Sequence, residues 1–144
     1  MATIKAYTDI EQSKKLTEIL PLESADMWWA ERYAGQVMEN GQYIIEEKPV
    51  YYLSLSKPSI DNYSQDIIKD IACWSLAALL NVIDQVKTIR NQRVTMLVGK
   101  YVWQHWYVEM AKVLNENSDV LVSSKELIDA CYEMIIKLHE QKLL

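Results

Sequence analysis

The spacing of apolar residues along the chain changes several times, and each change marks an expected element. Ile10, Leu16, Ile19 and Leu20 fall near one face of a helix. Thr8-Asp9-Ile10-Glu11 has the spacing of a capping box, so this helix is predicted to start there, and Pro21 ends it at about Leu20. Residues 24–39 read in two ways. Ser24 can cap a helix whose apolar face is Met27, Ala30, Ala34, Val37 and Met38. Alternatively, Asn40-Gly41 between Val37-Met38 and Tyr43-Ile44-Ile45 is a strong signal for a two-residue hairpin turn, which makes the segment strand. Tyr43 to Glu47 and Val50 to Ser56 are rich in β-branched and aromatic residues and bracket Pro49, which predicts two strand segments meeting at an edge or bend. Ser56 to Asp66 reads as a surface loop.

From Ile71 to Ile83 only Ser75 and Asn81 are polar. A helix apolar on nearly all sides is a buried one, so this run is predicted to be a single helix at the centre of the core. Arg93 to Val98, Val102 to Leu114 and Val120 to Ser123 read as strands, the last two joined by a polar turn at Asn115-Glu116-Asn117-Ser118. Ser123-Ser124-Lys125-Glu126 has the spacing of a second capping box. It opens a closing helix with the stripe Leu127, Ala130, Cys131, Met134, Ile135 and Leu138, and His139 and Lys142 stand in the last turn, where cations suit the helix dipole. The order helix, strands, helix, strands, helix predicts one α+β domain over residues 1–144. The expected architecture is an antiparallel sheet with about three helices packed mainly on one face.

A chain of this size, half apolar and about a quarter charged, can bury an ordinary core without staples. Cys73 and Cys131 lie far apart in apolar surroundings and are expected to be buried free thiols. The N-terminus has no apolar run of leader length and no stretch approaches the roughly 20 residues that span a bilayer, which predicts a cytoplasmic protein with no membrane partner. The net charge of −5 argues against nucleic acid. The charge is uneven, however: Lys87 to Val108 holds Lys87, Arg90, Arg93 and Lys100 with no acid.

Metal sites announce themselves as paired ligands such as C-x-x-C, and none occurs, so no metal or cofactor is expected. Cys131 and His139 are eight residues apart on one helix, about 12 Å, too far for a shared ligand or a nucleophile pair. Isolated Gly35, Gly41 and Gly99 form no phosphate-cradling loop, and no G-x-S-x-G elbow or H-E-x-x-H helix exists. No catalytic residue is nominated and no enzyme is expected. The aromatic residues are the oddity: five Trp and nine Tyr but no Phe, so that the rings carry polar handles suited to surfaces with one wet side. Trp28 and Trp29 are candidate partner-binding residues. Arg90, Arg93, Lys100, Trp103 and Trp106 are candidates for an anionic aromatic ligand, since cations beside stackable rings suit one. The plainer reading has Trp103, His105 and Tyr107 alternating along a strand, one side of which is core.

Three blocks carry a family resemblance: Glu11 to Leu16 running on to Leu20-Pro21-Leu22-Glu23-Ser24-Ala25-Asp26-Met27, Cys73-Trp74-Ser75-Leu76-Ala77-Ala78-Leu79-Leu80, and Asp129 to Glu140. In these the chain resembles a family of small uncharacterised proteins from prophages and mobile elements of gut Bacteroidales. The resemblance implies strand after Ala25-Asp26-Met27, which favours the hairpin reading of residues 24–39. The family usually has Pro before and soon after the Cys-Trp-Ser block; Ala72 and Ile83-Asp84-Gln85-Val86 stand here instead, so the central helix is expected to extend toward Thr88. No activity follows from the resemblance. The expected function is that of a prophage or mobile-element accessory protein that binds a macromolecular partner, a host or defence component or another copy of the chain. The alternative is a protein that binds or sequesters an anionic, nucleotide-like small molecule.

Overall fold

The computed structural model describes residues 5–55, 69–113 and 118–144. The loop expected over Ser56 to Asp66 and the turn residues 115–117 lie outside them. Helix α1 spans Ile10–Thr17, and its cap is Asp9 rather than Thr8. The Gln12 N–H donates to Asp9 Oδ1 at 2.8 Å while the Asp9 N–H donates to Gln12 Oε1 at 3.2 Å, a capping box one residue later than the sequence suggests. The reason is that the Thr8 hydroxyl is engaged elsewhere: it accepts the Trp74 N–H at 3.1 Å and lies 2.7 Å from Ser13 Oγ. A last turn, with the Leu20 N–H on the Leu16 carbonyl at 2.8 Å, carries the chain to Pro21.

Strands β1 (Met27–Val37) and β2 (Tyr43–Ser54) form an antiparallel hairpin, so the strand reading of this segment holds. Asn40-Gly41 is inside a longer loop, where Gly41 takes φ +82° and the Gln42 N–H donates to Asn40 Oδ1. β2 is one strand across Pro49, not two; the proline stands at the edge of the sheet next to a register slip between Tyr33 and Gly35, where a missing N–H is tolerated. β3 (Lys69–Cys73) pairs on the other side of β1, completing a sheet of order β2-β1-β3.

The apolar run expected to be one helix is thus divided. Its first three residues end β3, and Ser75 caps the nine-residue helix α2 (Leu76–Asp84), its hydroxyl accepting the Ala78 N–H. Ser75 is held in turn by Asp26, which accepts both its N–H and its hydroxyl. α2 stops at Asp84 and does not extend to Thr88, where β4 (Thr88–Ile89) begins. β5 (Gln92–Lys100), β6 (Trp106–Lys112) and β7 (Ser118–Ser124) follow, giving a second antiparallel sheet of order β4-β5-β6-β7. Residues 102–105, expected in strand, form the turn between β5 and β6. Ser123 and Ser124 stay in β7, so the closing helix α3 (Leu127–Glu140) starts behind Glu126 without the expected box.

The α+β class and the order of elements are those expected, but the strands divide into two sheets. α3 packs on β6, β7 and α2, while α1 packs on β3. Val94, Val108, Met110, Val120 and Val122 turn one face of the second sheet toward Leu79, Ile83, Cys131, Met134, Ile135 and Leu138, and Leu16, Leu20, Ala72 and Trp74 join the same core. The N-terminal strip ties the halves together: Thr8 donates its N–H to the Trp74 carbonyl at 3.0 Å, and Leu76 donates to the Ala6 carbonyl at 3.1 Å.

Candidate functional site

β5 and β6 meet in a tight hairpin closed by the Tyr101 N–H on the His105 carbonyl at 2.7 Å and the Gln104 N–H on the Tyr101 carbonyl at 3.0 Å. The second bond makes Val102 and Trp103 the central residues of the turn, and Gln104 follows with φ +71°, the left-handed residue such a hairpin requires. Central turn residues project outward. Val102 is 94% exposed and Trp103 64%, the two most exposed residues of their kinds at the tip.

Trp103 is nevertheless fixed. Its ring stacks on Tyr101 at 4.4 Å and 16°, and Tyr101 leans on Tyr107 at 4.7 Å and 34°. Tyr107 in turn lies across Gly99, its cross-strand partner, where a Cβ would collide with the ring. Alternation places Gly99, Leu97, Tyr107 and Leu121 on the face of the second sheet opposite the core. Leu97 and Leu121 are each 43% exposed and flank Glu109 of β6 on this face, so the row beside the ring ladder is apolar at its two ends and acidic at its centre.

Trp106 points to the other face, with the Lys100 ammonium 5.2 Å from its ring centre, a cation–π contact. Arg90 and Arg93 do not join this pair. Arg93 is seven residues before Lys100 on β5, about 23 Å along the strand, and Arg90 is in the β4–β5 turn beside Ile89, Gln141 and Leu143. Trp28 and Trp29 occupy opposite faces of the first sheet and are both half-buried. Trp28 packs against the core, and Trp29 donates its indole N–H to the Thr8 carbonyl at 3.1 Å and meets Tyr7 edge-on. The structure thus gathers Lys100, Trp103 and Trp106 at one hairpin and leaves the arginines and the paired tryptophans elsewhere.

A second assembly has no signature in the linear sequence. Lys5 donates to Asp129 Oδ1 at 2.7 Å, to Asp9 Oδ2 at 3.1 Å and to Gln12 Oε1 at 3.0 Å, and Gln12 Nε2 also donates to Asp129 Oδ1. Burial pulls the Lys5 ammonium down, but the carboxylates of Asp129 and Asp9 outweigh it and hold the group above its ordinary value. Burial likewise pushes Asp9 up, and the Gln12 N–H and Lys5 overcome it, leaving Asp9 below the usual carboxylate value. These residues wall one side of a groove of about 630 Å³ whose other side is β7 and α3. Since Lys5 and Asp129 are 124 positions apart, only the fold brings them together.

Burial pushes the Cys131 thiol up to about 12 and raises Cys73 as well, against the hydrogen bonds of Thr8 and Ser13, so both are inert thiols. Among the described residues no cluster of three or more His, Cys, Asp and Glu side chains could hold a metal, and no helix is long and apolar enough to cross a membrane. Comparison of the chain with protein families, with characterised proteins and with solved structures finds no match.

Proposed function

We propose that this chain is a non-enzymatic binding protein that docks a protein partner on the β5–β6 hairpin tip and the adjoining outer face of the second sheet. The reading is carried by Val102 and Trp103, two large apolar side chains held in solvent at the centre of a turn. Scattered exposed apolar residues are ordinary, but here they join the Tyr101–Tyr107 ring stack in one patch, and contiguous apolar surface marks interaction sites; Leu97 and Leu121 lie further along the same face on either side of Glu109. Stacking has already fixed the Trp103 ring, so a partner would gain its contact area at little further cost in rotamer entropy. The family resemblance supplies the setting: a prophage or mobile-element accessory protein, whose partner would be a host or defence component.

The test places a photo-crosslinker at the tip (Val102→benzoylphenylalanine) and, as control, at the exposed C-cap of α1 (Glu18→benzoylphenylalanine). In host lysate one protein should crosslink from position 102 and not from 18. Adding Trp103→Ala should abolish that crosslink with the melting temperature kept within a few degrees, as for a surface substitution. A crosslink that survives Trp103→Ala overturns the proposal. So does co-sedimentation with anionic vesicles that Trp103→Ala abolishes, which would make the tip a lipid-inserting loop. A nucleotide that raises the melting temperature in the native chain but not in Lys100→Ala would favour the anionic-ligand reading instead.

A further inference from the structure

We propose that the groove beside β7 is a second docking site, which takes an extended peptide segment of a partner bearing basic side chains and adds it as a fifth strand to the second sheet. β7 is the last strand in the order β4-β5-β6-β7, and among the described residues no strand pairs with its outer side. Leu121, Val122, Ser123 and Ser124 all line the groove. Successive residues of a strand point to opposite faces, so a groove that touches all four runs along the strand's edge, where the backbone groups are. Lys137 confirms that direction by reaching the Leu121 carbonyl at 3.4 Å from α3. In an antiparallel ladder the outward-facing residues recur every second position, so Ser123 offers its N–H and carbonyl on the same side.

An unpaired edge is a hazard that proteins commonly cover with a lysine, and Lys137 does this for one carbonyl. The same contact is easily exchanged, because an incoming strand supplies a backbone N–H in its place. The four lining residues of β7 span about 13 Å, and the groove volume falls within the roughly 300–1,000 Å³ of ordinary ligand sites.

The walls select the charge of the occupant. Asp129 commits only Oδ1 to Lys5 and Gln12, and no protein group described here bonds its Oδ2. Glu133, one helical turn further along α3, lines the groove exposed and makes no ion pair among the described residues. Lys5 is shared between Asp9 and Asp129 and Lys137 offsets one further acid, so the charged groups lining the groove, two cations and three carboxylates, leave a net charge of −1. That field reaches the groove wall: burial first, then Glu133 and Asp9, raise the Tyr132 phenol. A lysine or arginine on the added strand meets Asp129 and Glu133, while an acidic residue meets them in repulsion.

The test uses the full chain and two fluorescein-labelled hexapeptides, Thr-Lys-Val-Lys-Val-Thr and its twin with Glu in place of Lys. Fluorescence anisotropy should show the basic peptide binding more tightly by on the order of tenfold. Amide exchange at Leu121 and Ser123 should slow in that complex. Glu133→Lys should reverse the preference, and Ser123→Pro should abolish binding of both peptides, because an outward edge position loses its donor without losing a ladder bond. Should Ser123→Pro misfold by circular dichroism, the charge reversal still decides. Equal binding of the twins, no binding at millimolar peptide, protection confined to the hairpin tip, or occupation of the edge by a second copy of the chain each overturns the proposal.

Discussion

At the scale of single residues, Gly99 shows how an absent side chain organises its neighbours. In sequence Gly99 is an isolated glycine with no phosphate-loop spacing around it, and in the fold it leaves the space that the Tyr107 ring fills, so that Tyr101 and Trp103 are ordered in succession. Nothing in the linear pattern announces this role, since the partner that matters is across the hairpin. Gly99→Ala forces the ring away. The collision is with the far end of a flexible side chain, so relief comes by rotation rather than by moving backbone. Losing glycine from a strand returns about 0.5–1 kcal/mol of conformational entropy, while each lost ring pair costs about 0.5–1.5 kcal/mol. The two nearly cancel, and the melting temperature should move by only a few degrees. The near-ultraviolet circular dichroism and the Trp103 emission should change clearly. A large loss of stability with unchanged spectra would mean that the ring stays and the backbone yields.

At the scale of elements, what the sequence shows well is composition and what it hides is where one element hands over to the next. The closing helix and the α+β order are legible, because long periodic stripes such as Ile128, Cys131, Ile135 and Leu138 have one physical solution, whereas the pattern of residues 24–39 fits a helix as well as the strand that forms. Ile71 to Ile83 is different: β3 enters the shared core with Ala72 and α2 is buried along Leu79, Val82 and Ile83, so both read as continuous apolar sequence and only Ser75 marks the joint. Thr8 misleads for a related reason, its hydroxyl serving Trp74 in a distant strand while Asp9 caps α1. The Lys5 assembly is invisible in sequence because it depends on α1 meeting α3. That meeting carries a pH signature. Asp9 is depressed in the fold, so its stabilisation is present above the ordinary value of 3.8 and fades as pH falls below it. Lys5 is raised, so its contribution is present below 10.5 and is lost at higher pH. Half-exposed Asp9 contributes a small term, at most about 1 kcal/mol. Thermal melts should therefore show a plateau bounded by these two values. Lys5→Met should lower the plateau and remove the alkaline step; an alkaline step of unchanged size in that variant would assign it to another group.

At the scale of the whole molecule, two sheets could be two independently stable layers, but their shared core argues for one cooperative unit. Trp74 is where they join: fully buried, it follows β3 directly, hydrogen-bonds through its backbone to Thr8 on both sides, and donates its indole N–H to Ser24 Oγ at 2.9 Å. Its ring belongs to the same cluster as Leu79, Val108 and Ile135, so the residue that ends the first sheet packs in the core of the second. Truncating a buried tryptophan typically costs about 3–5 kcal/mol, a large fraction of the roughly 5–15 kcal/mol that holds a domain together. Trp74→Ala should lower the melting temperature by on the order of 10 °C in a single transition. Hydrogen exchange should quicken together in β1 and in β6, although β6 makes no strand pairing with the first sheet. If β1 and β3 exchanged faster while β5, β6 and β7 kept their protection, the first sheet would be an appendage. The hairpin tip would then belong to a smaller stable unit of β5, β6, β7 and α3, while the groove beside β7 would lose the wall that Lys5, Asp9 and Gln12 give it.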